Sequence, residues 1–310
     1  MVSWCIAFWK FSRPHTIIGT SLSVIGLWVM AIALGGRGPS DLLVTGGRSI
    51  TVALPVLVGA WLACLAGNIY IVGLNQLTDV DIDRINKPHL PLAAGTFSQR
   101  LGWILVGSMG AIALLLSLSQ GPFLVATVWS SLAIGTAYSL PPVRLKRFPL
   151  WASICIFTVR GVIVNLGLFL HFNQTLHQAT TLPSPVWLLT LFVLVFTFAI
   201  AIFKDIPDLE GDRQYQITTF TLKLGVPAVF NLARGVITLC YGGMVAASLL
   251  VAPVDWISSL FHTGILGLFW LLSLRVNLQD RAAIARFYQF IWRLFFLEYL
   301  VFPILSGLGP

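Results

Sequence analysis

Carboxylates are scarce in this chain and gathered in two places. Of 11 acidic residues, seven lie in two short stretches: Asp79, Asp81 and Asp83, then Asp205, Asp208, Glu210 and Asp212. The interval from Asp79 to Asp208 equals that from Asp83 to Asp212, an offset consistent with an internal pseudo-repeat. The first stretch reads Asn75-Gln-Leu-Thr-Asp79-Val-Asp81-Ile-Asp83-Arg84-Ile-Asn86-Lys87-Pro88. If the preceding helix continues through it, residues four apart share a face, about 6 Å apart along the axis. Asn68, Asn75, Asp79 and Asp83 then form one polar stripe, Asp81 faces solvent, and Pro88 ends the helix. The second stretch reads Lys204-Asp205-Ile-Pro207-Asp208-Leu-Glu210-Gly211-Asp212-Arg213. Pro207 is placed to open a short new helix on which Asp208 and Asp212 share a face.

Carboxylates this close raise one another's pKa unless a cation holds them. Hard oxygen donors suit Mg²⁺, which takes one or two carboxylates and fills its other positions with water and substrate phosphate. Two facing clusters of this kind would grip a diphosphate and make it a good leaving group. Either stretch alone reads as a charged surface loop. Two, both at helix ends, favour the metal reading.

Basic residues lie close by in sequence. The stretch Tyr138-Ser-Leu-Pro141-Pro142-Val-Arg144-Leu-Lys146-Arg147 puts Arg144 and Lys146 where they would close over a diphosphate. A positive-inside anchor with a Pro-Pro turn explains them equally well. Tyr138, Lys204 and Asn68 are further candidates for substrate contact. Arg160 falls within a hydrophobic run, which makes it a candidate substrate ligand by position. The reading favoured for it is a buried ion pair with Glu298, the other deeply placed charge.

The elements that must position these residues are membrane helices. The chain is 57% hydrophobic and 10% charged, against about 25% charged in a soluble domain. Apolar runs of roughly 20 residues occur near 15–34, 50–74, 101–119, 122–140, 149–170, 185–204, 226–251, 256–275 and 287–308. Backbone groups in lipid must be satisfied within the segment, so these runs are helices. The expected fold is an all-α polytopic bundle of nine transmembrane helices around a central cavity, forming one domain over 1–310. With the N-terminus in the cytoplasm, Arg37 and Arg48 lie outside, while the other 17 of 19 Lys and Arg lie inside or on helices. Both acidic stretches then fall on the cytoplasmic side. The net charge of +8 reads first as topology rather than as nucleic-acid binding. Cys5, Cys64, Cys155 and Cys240 are scattered singly and read as buried apolar residues. The first hydrophobic run is too long for a cleavable signal, which points to a bacterial membrane protein or a trimmed mature form.

Taken together, these motifs resemble the UbiA superfamily of intramembrane prenyltransferases, and within it the homogentisate-prenylating branch of cyanobacteria and plastids. The resemblance rests on FSRPHTIIGT (11–20), NQLTDVDIDRINKPHLPLAAG (75–95), RGVIVNLGLFLHF (160–172), FKDIPDLEGDR (203–213) and FYQFIWRLFFLEYL (287–300). Gln76 stands where many superfamily members have Asp after the motif's Asn, which agrees with that branch. The resemblance implies transfer of a phytyl group from phytyl diphosphate to homogentisate. Loss of CO₂ would then give a methyl-phytyl-benzoquinol for tocopherol synthesis. It implies Mg²⁺-diphosphate held by Asn75, Asp79, Asp83, Asp208 and Asp212, with Arg144 and Lys146 beside the phosphates. It also implies a cyanobacterial thylakoid or plasma membrane. Geranylgeranyl or solanesyl diphosphate as donor, or another acceptor such as the chlorophyllide of chlorophyll synthase, is the alternative within this chemistry. Outside it, an ion-coupled transporter would use intramembrane acids, but usually near the midplane on broken helices.

Overall fold

A computed structural model describes residues 2–35, 44–45, 48–207, 209–214 and 219–308. The chain opens with a short helix α1 (Val2–Phe11), followed by α2 (Pro14–Gly35) and α3 (Ile50–Thr78). Then come α4 (Val80–Asn86), α5 (Gln99–Leu118), α6 (Pro122–Ser139), α7 (Pro149–Phe157) and α8 (Val164–His177). The chain closes with α9 (Ser184–Phe203), α10 (Leu209–Gln214), α11 (Phe220–Leu224), α12 (Val226–Leu250), α13 (Trp256–Ser273) and α14 (Arg281–Leu308). The other regular structure described is a two-residue antiparallel pairing of Val44–Thr45 with Arg48–Ser49.

The protein is an integral membrane protein. Among the described residues, eight helices are long and apolar enough to cross a bilayer, with α7 and α8 counting as one span, Leu150–His177. Each of the nine expected runs forms a helix, but α6 is not among those eight. It carries Thr127, Ser130, Ser131, Thr136 and Ser139, which lower its apolar character. Several of those hydroxyls bond back to their own helix, as Thr127 does to the Phe123 carbonyl (2.7 Å) and Ser130 to that of Ala126 (2.6 Å). Leu115, Leu239, Leu250 and Leu260 point outward and are exposed, as a lipid-facing surface requires.

With lipid as apolar as leucine, helices associate through close packing rather than hydrophobic expulsion. α2 packs on α14, α3 on α5, and α12 on both α9 and α13. Glycine makes the tightest approaches possible. A Cβ at Gly26 would stand 2.6 Å from the Tyr299 carbonyl oxygen, and one at Gly161 would stand 2.6 Å from Leu194 Cα. Aromatic rings fill the interior, with Phe196, Tyr241, Phe295 and Tyr299 fully buried and packed edge to face. Between α7 and α8 the helix widens into a π turn, Thr158–Ile163, that carries Arg160. Asn165 pins this region: it donates to the Gly161 carbonyl (2.7 Å) and accepts from the Tyr299 hydroxyl (2.6 Å).

Two expectations need correction. Helix α3 does not run on through the first acidic stretch. It ends at Thr78, and Asp79, at φ −123° and ψ 19°, turns the chain into α4. The expected Arg160–Glu298 ion pair does not form either. Glu298 Oε1 instead meets His262 Nε2 at 3.2 Å, both residues being fully buried. His262 Nδ1 donates to the Ser258 carbonyl at 2.7 Å. Glu298 lies six residues beyond Trp292, the α14 ring nearest Arg160, and so is turned about 120° away around the helix, toward α13.

Candidate active site

The break at Asp79 keeps the polar stripe on one side while letting a distant loop reach it. Asn75 Nδ2 donates to Asp79 Oδ2 (3.1 Å), and Asn75 Oδ1 accepts from Arg13 Nη2 (3.2 Å). Arg144 Nη2 donates to Asp79 Oδ1 (3.0 Å) and to the Thr78 carbonyl (3.3 Å). Lys146 Nζ donates to Asp79 Oδ2 and to the Thr78 hydroxyl, each at 2.7 Å. Asp83, one turn on, is buried between Arg13 (3.9 Å) and Lys87 (4.0 Å). Asp81 points away, exposed and paired with Arg84 at 2.7 Å, as its position on the helix predicts.

The two arginines are held by unusual backbone. Among the described residues, positive φ outside glycine occurs at Arg13 (52°), Arg144 (39°) and Gln178 (56°). Such conformations cost about 1–3 kcal/mol each and concentrate at functional sites. Burial lowers the Lys146 ammonium to about 8, with the Asp79 carboxylate opposing that shift. Burial, then Lys10, Lys87 and Arg13, lower the His89 imidazole, a mark of the positive potential at this end.

These residues rim a cavity of about 1140 Å³, larger than the roughly 300–1,000 Å³ typical of drug-sized pockets. From Asp79 its wall follows α3 through Asn75, Asn68 and Cys64 to Ala63, a depth of about 24 Å at 1.5 Å per residue. The deep wall is largely apolar, with Val24, Ile71, Leu132, Val128 and Leu168 facing it. At the rim the charge balance reverses. Apart from the deeper Arg160, the described lining holds seven Lys and Arg against three Asp. A chamber with a cationic mouth and an apolar depth suits a ligand with an anionic head and a long hydrocarbon tail.

Of the residues singled out from the sequence, Asn68, Asn75, Asp79, Asp83, Tyr138, Arg144, Lys146, Arg160 and Lys204 all line this cavity. Asn68 donates to the Thr16 hydroxyl (3.0 Å), and Lys204 pairs with Asp205 (3.1 Å). Asp208 lies outside the described residues. Asp212 falls on α10, its side chain outside what is described, and α10 packs against α4. Asp205, from the second acidic stretch, also lines the site, as do Arg13 and Lys10, which the sequence reading does not single out. The available signal was basic charge just ahead of the first membrane helix, on the same expected face as the acidic motifs. Among the described residues no three acid, histidine or cysteine side chains converge as a metal cage. The donor set still fits a hard divalent cation, because Mg²⁺ takes few carboxylates and shares the rest of its shell with phosphate and water.

Arg160 is set apart from this cluster. Its guanidinium lies 5.3 Å from the Trp292 ring and 5.5 Å from that of Phe295. Ring contacts of this kind recover about 0.5–2 kcal/mol, less than the several kcal/mol that burying an ion costs.

The sequence and the fold have counterparts among known proteins. The family model described as "UbiA prenyltransferase family" matches residues 18–294. A Synechocystis sp. protein named "Homogentisate phytyltransferase" is 53% identical over 300 residues, covering 96% of this chain and 94% of its own. The chain belongs to the UbiA prenyltransferase family. Among solved structures, a digeranylgeranylglyceryl phosphate synthase superposes with TM-score 0.62 at 17% identity, over 97% of this chain and 98% of that one. A UbiA homologue from Archaeoglobus fulgidus, bound to GPP and Mg²⁺, gives 0.59 at 16% identity, over 96% of this chain and 99% of its own. At these identities the likeness is one of fold.

Proposed function

We propose that the chain transfers a phytyl group from Mg²⁺-bound phytyl diphosphate to homogentisate, with loss of CO₂, giving a methyl-phytyl-benzoquinol. The observation that carries the chemistry is the two-ended cavity, with Asn75, Asp79, Asp83, Arg144 and Lys146 at one end and apolar wall beyond. The Synechocystis relative's name supports this particular donor and acceptor. A Mg²⁺-bound archaeal family member of the same fold supports the metal.

In this reading Asn75, Asp79 and Asp83, joined by Asp208 and Asp212, hold Mg²⁺-diphosphate at the mouth. When bound, the metal neutralises the charge that gathers on the diphosphate as its C–O bond breaks. Arg13, Arg144 and Lys146 stand ready as phosphate ligands, and they occupy the carboxylates when no substrate is present. Exchange of Arg144 and Lys146 from Asp79, and of Arg13 from Asp83, to the phosphates would free the carboxylate oxygens that would hold the metal. The deep wall takes the phytyl tail and keeps water from the allylic carbon, which water would otherwise capture. A ring carbon of homogentisate then forms the new C–C bond as diphosphate departs. The ring loses its proton at that carbon, and the carboxyl leaves as CO₂ with a proton taking its place. Residues 1–310 act as one catalytic domain. The positive-inside bias supports a cytoplasmic mouth, in a cyanobacterial thylakoid or plasma membrane.

The test is product mass. Protein in nanodiscs with Mg²⁺ is given homogentisate and an equimolar mixture of phytyl, geranylgeranyl and solanesyl diphosphates. A decarboxylated phytylated quinol, absent in EDTA, is expected. A product carrying a different tail would overturn the donor, and no prenylated homogentisate would overturn the acceptor.

A further inference from the structure

Arg160 is a cation with no anionic partner among the described residues. It sits on the π turn midway along a membrane span and lines the cavity. Among the described residues its guanidinium makes no hydrogen bond and no ion pair, only the contacts with Trp292 and Phe295. Its Nη1 lies so close to α2 that a Cβ at Gly19 would be 3.2 Å from it. A half-buried cation whose closest described contacts are ring faces is under-compensated, and the open side of this one is the cavity.

Position decides which anion fits. Arg13 touches Asn75 and Asp83 at the mouth, and Gly19 is six residues further along α2. Arg160 therefore lies about 9 Å deeper than the acidic cluster. That is too far to share the diphosphate gripped at Asp79, and comparable with the length of an aryl acetic acid. The interval between is bounded by His15 and Trp292, whose rings lie 5.0 Å apart and both line the cavity. Trp292 thus touches both His15 and Arg160.

We propose that Arg160 binds the carboxylate of the aromatic acceptor, while His15 and Trp292 flank its ring and aim it at the allylic carbon. This rests on the proposed prenyl transfer and adds a selection rule: the site takes acidic aromatics of aryl acetate length. A guanidinium can hold a carboxylate through two parallel hydrogen bonds, which fixes orientation as well as position. A lysine in its place keeps the charge and loses the fork.

The experiment compares homogentisate with methylhydroquinone, which lacks the carboxyl group, on wild type, Arg160→Gln and Arg160→Lys. Arg160→Gln should raise KM for homogentisate by about tenfold or more, the scale of one lost charge-assisted interaction. It should leave KM for methylhydroquinone and for phytyl diphosphate unchanged, and Arg160→Lys should recover part of the loss. A second measurement needs only wild type: the neutral amide of homogentisate should bind about tenfold or more weakly than the acid. Equal KM changes for both acceptors, or an amide that binds as well as the acid, would overturn the proposal. If wild type prenylates neither acceptor, the prenyl-transfer reading itself has failed, which is a separate result.

Discussion

Asp79 is the residue on which the mouth of the cavity turns. One carboxylate takes Asn75, Arg144 and Lys146 at 2.7–3.1 Å, so it organises both the motif and the loop that closes over it. Asp79→Asn keeps the shape and removes the charge. Prenyl transfer should fall by about 10²-fold or more, the loss seen when one preorganised electrostatic group is removed, while the melting profile in detergent stays cooperative. Activity near wild type would count against Asp79 as a metal ligand. Arg144→Lys should raise KM for the diphosphate donor more than for homogentisate, because a point charge cannot reproduce the fork; steady-state kinetics with each substrate varied reads this directly. The motif itself was legible in the sequence, because residues spaced by four announce a shared helix face. Its partners were not. Lys146 reaches Asp79 from 67 positions away, and no local pattern encodes which loop folds over which helix end. Arg144 and Lys146 were therefore equally readable as topology anchors until their contacts were known.

At the scale of elements, the informative features are places where a helix departs from regularity. The turn at Asp79 and the π turn around Arg160 both aim charged groups into the cavity, and π turns are frequent at functional sites. Sequence periodicity sees the apolar run but not the departure, so it does not reveal the break at Asp79, and it favours Glu298 as the partner of Arg160. The expectation that Glu298 needs a buried partner was sound. The partner is His262 on the neighbouring helix, and the direction in which α14 faces was the missing fact. Glu298→Met or His262→Leu alone should lower the thermal midpoint in detergent, because each leaves a buried polar group without its partner. The double variant Glu298→Met, His262→Leu should recover most of that loss, since replacing both members of a buried pair by apolar groups is often neutral. Additive losses in the double variant would show that the pair is not coupled. Gly161→Ala should also destabilise, because the new Cβ would meet Leu194 backbone that cannot yield.

The whole molecule divides its labour along the membrane normal. Few charges, long apolar runs and basic loops made the membrane class and the helix positions readable. The cavity was not readable, because its wall is assembled from α2, α3, α4, α6, α7, α8, α9 and α14, and one sequence does not say which faces turn inward. The result is a chamber whose cationic mouth and apolar depth separate a diphosphate head from its tail. The most direct test of that arrangement is calorimetric titration of the purified protein with a non-hydrolysable phytyl thiodiphosphate, with and without Mg²⁺. Binding that requires Mg²⁺, and that is lost in Asp79→Asn while the protein stays folded, is the predicted result. Binding of equal strength without Mg²⁺, or in Asp79→Asn, would contradict it.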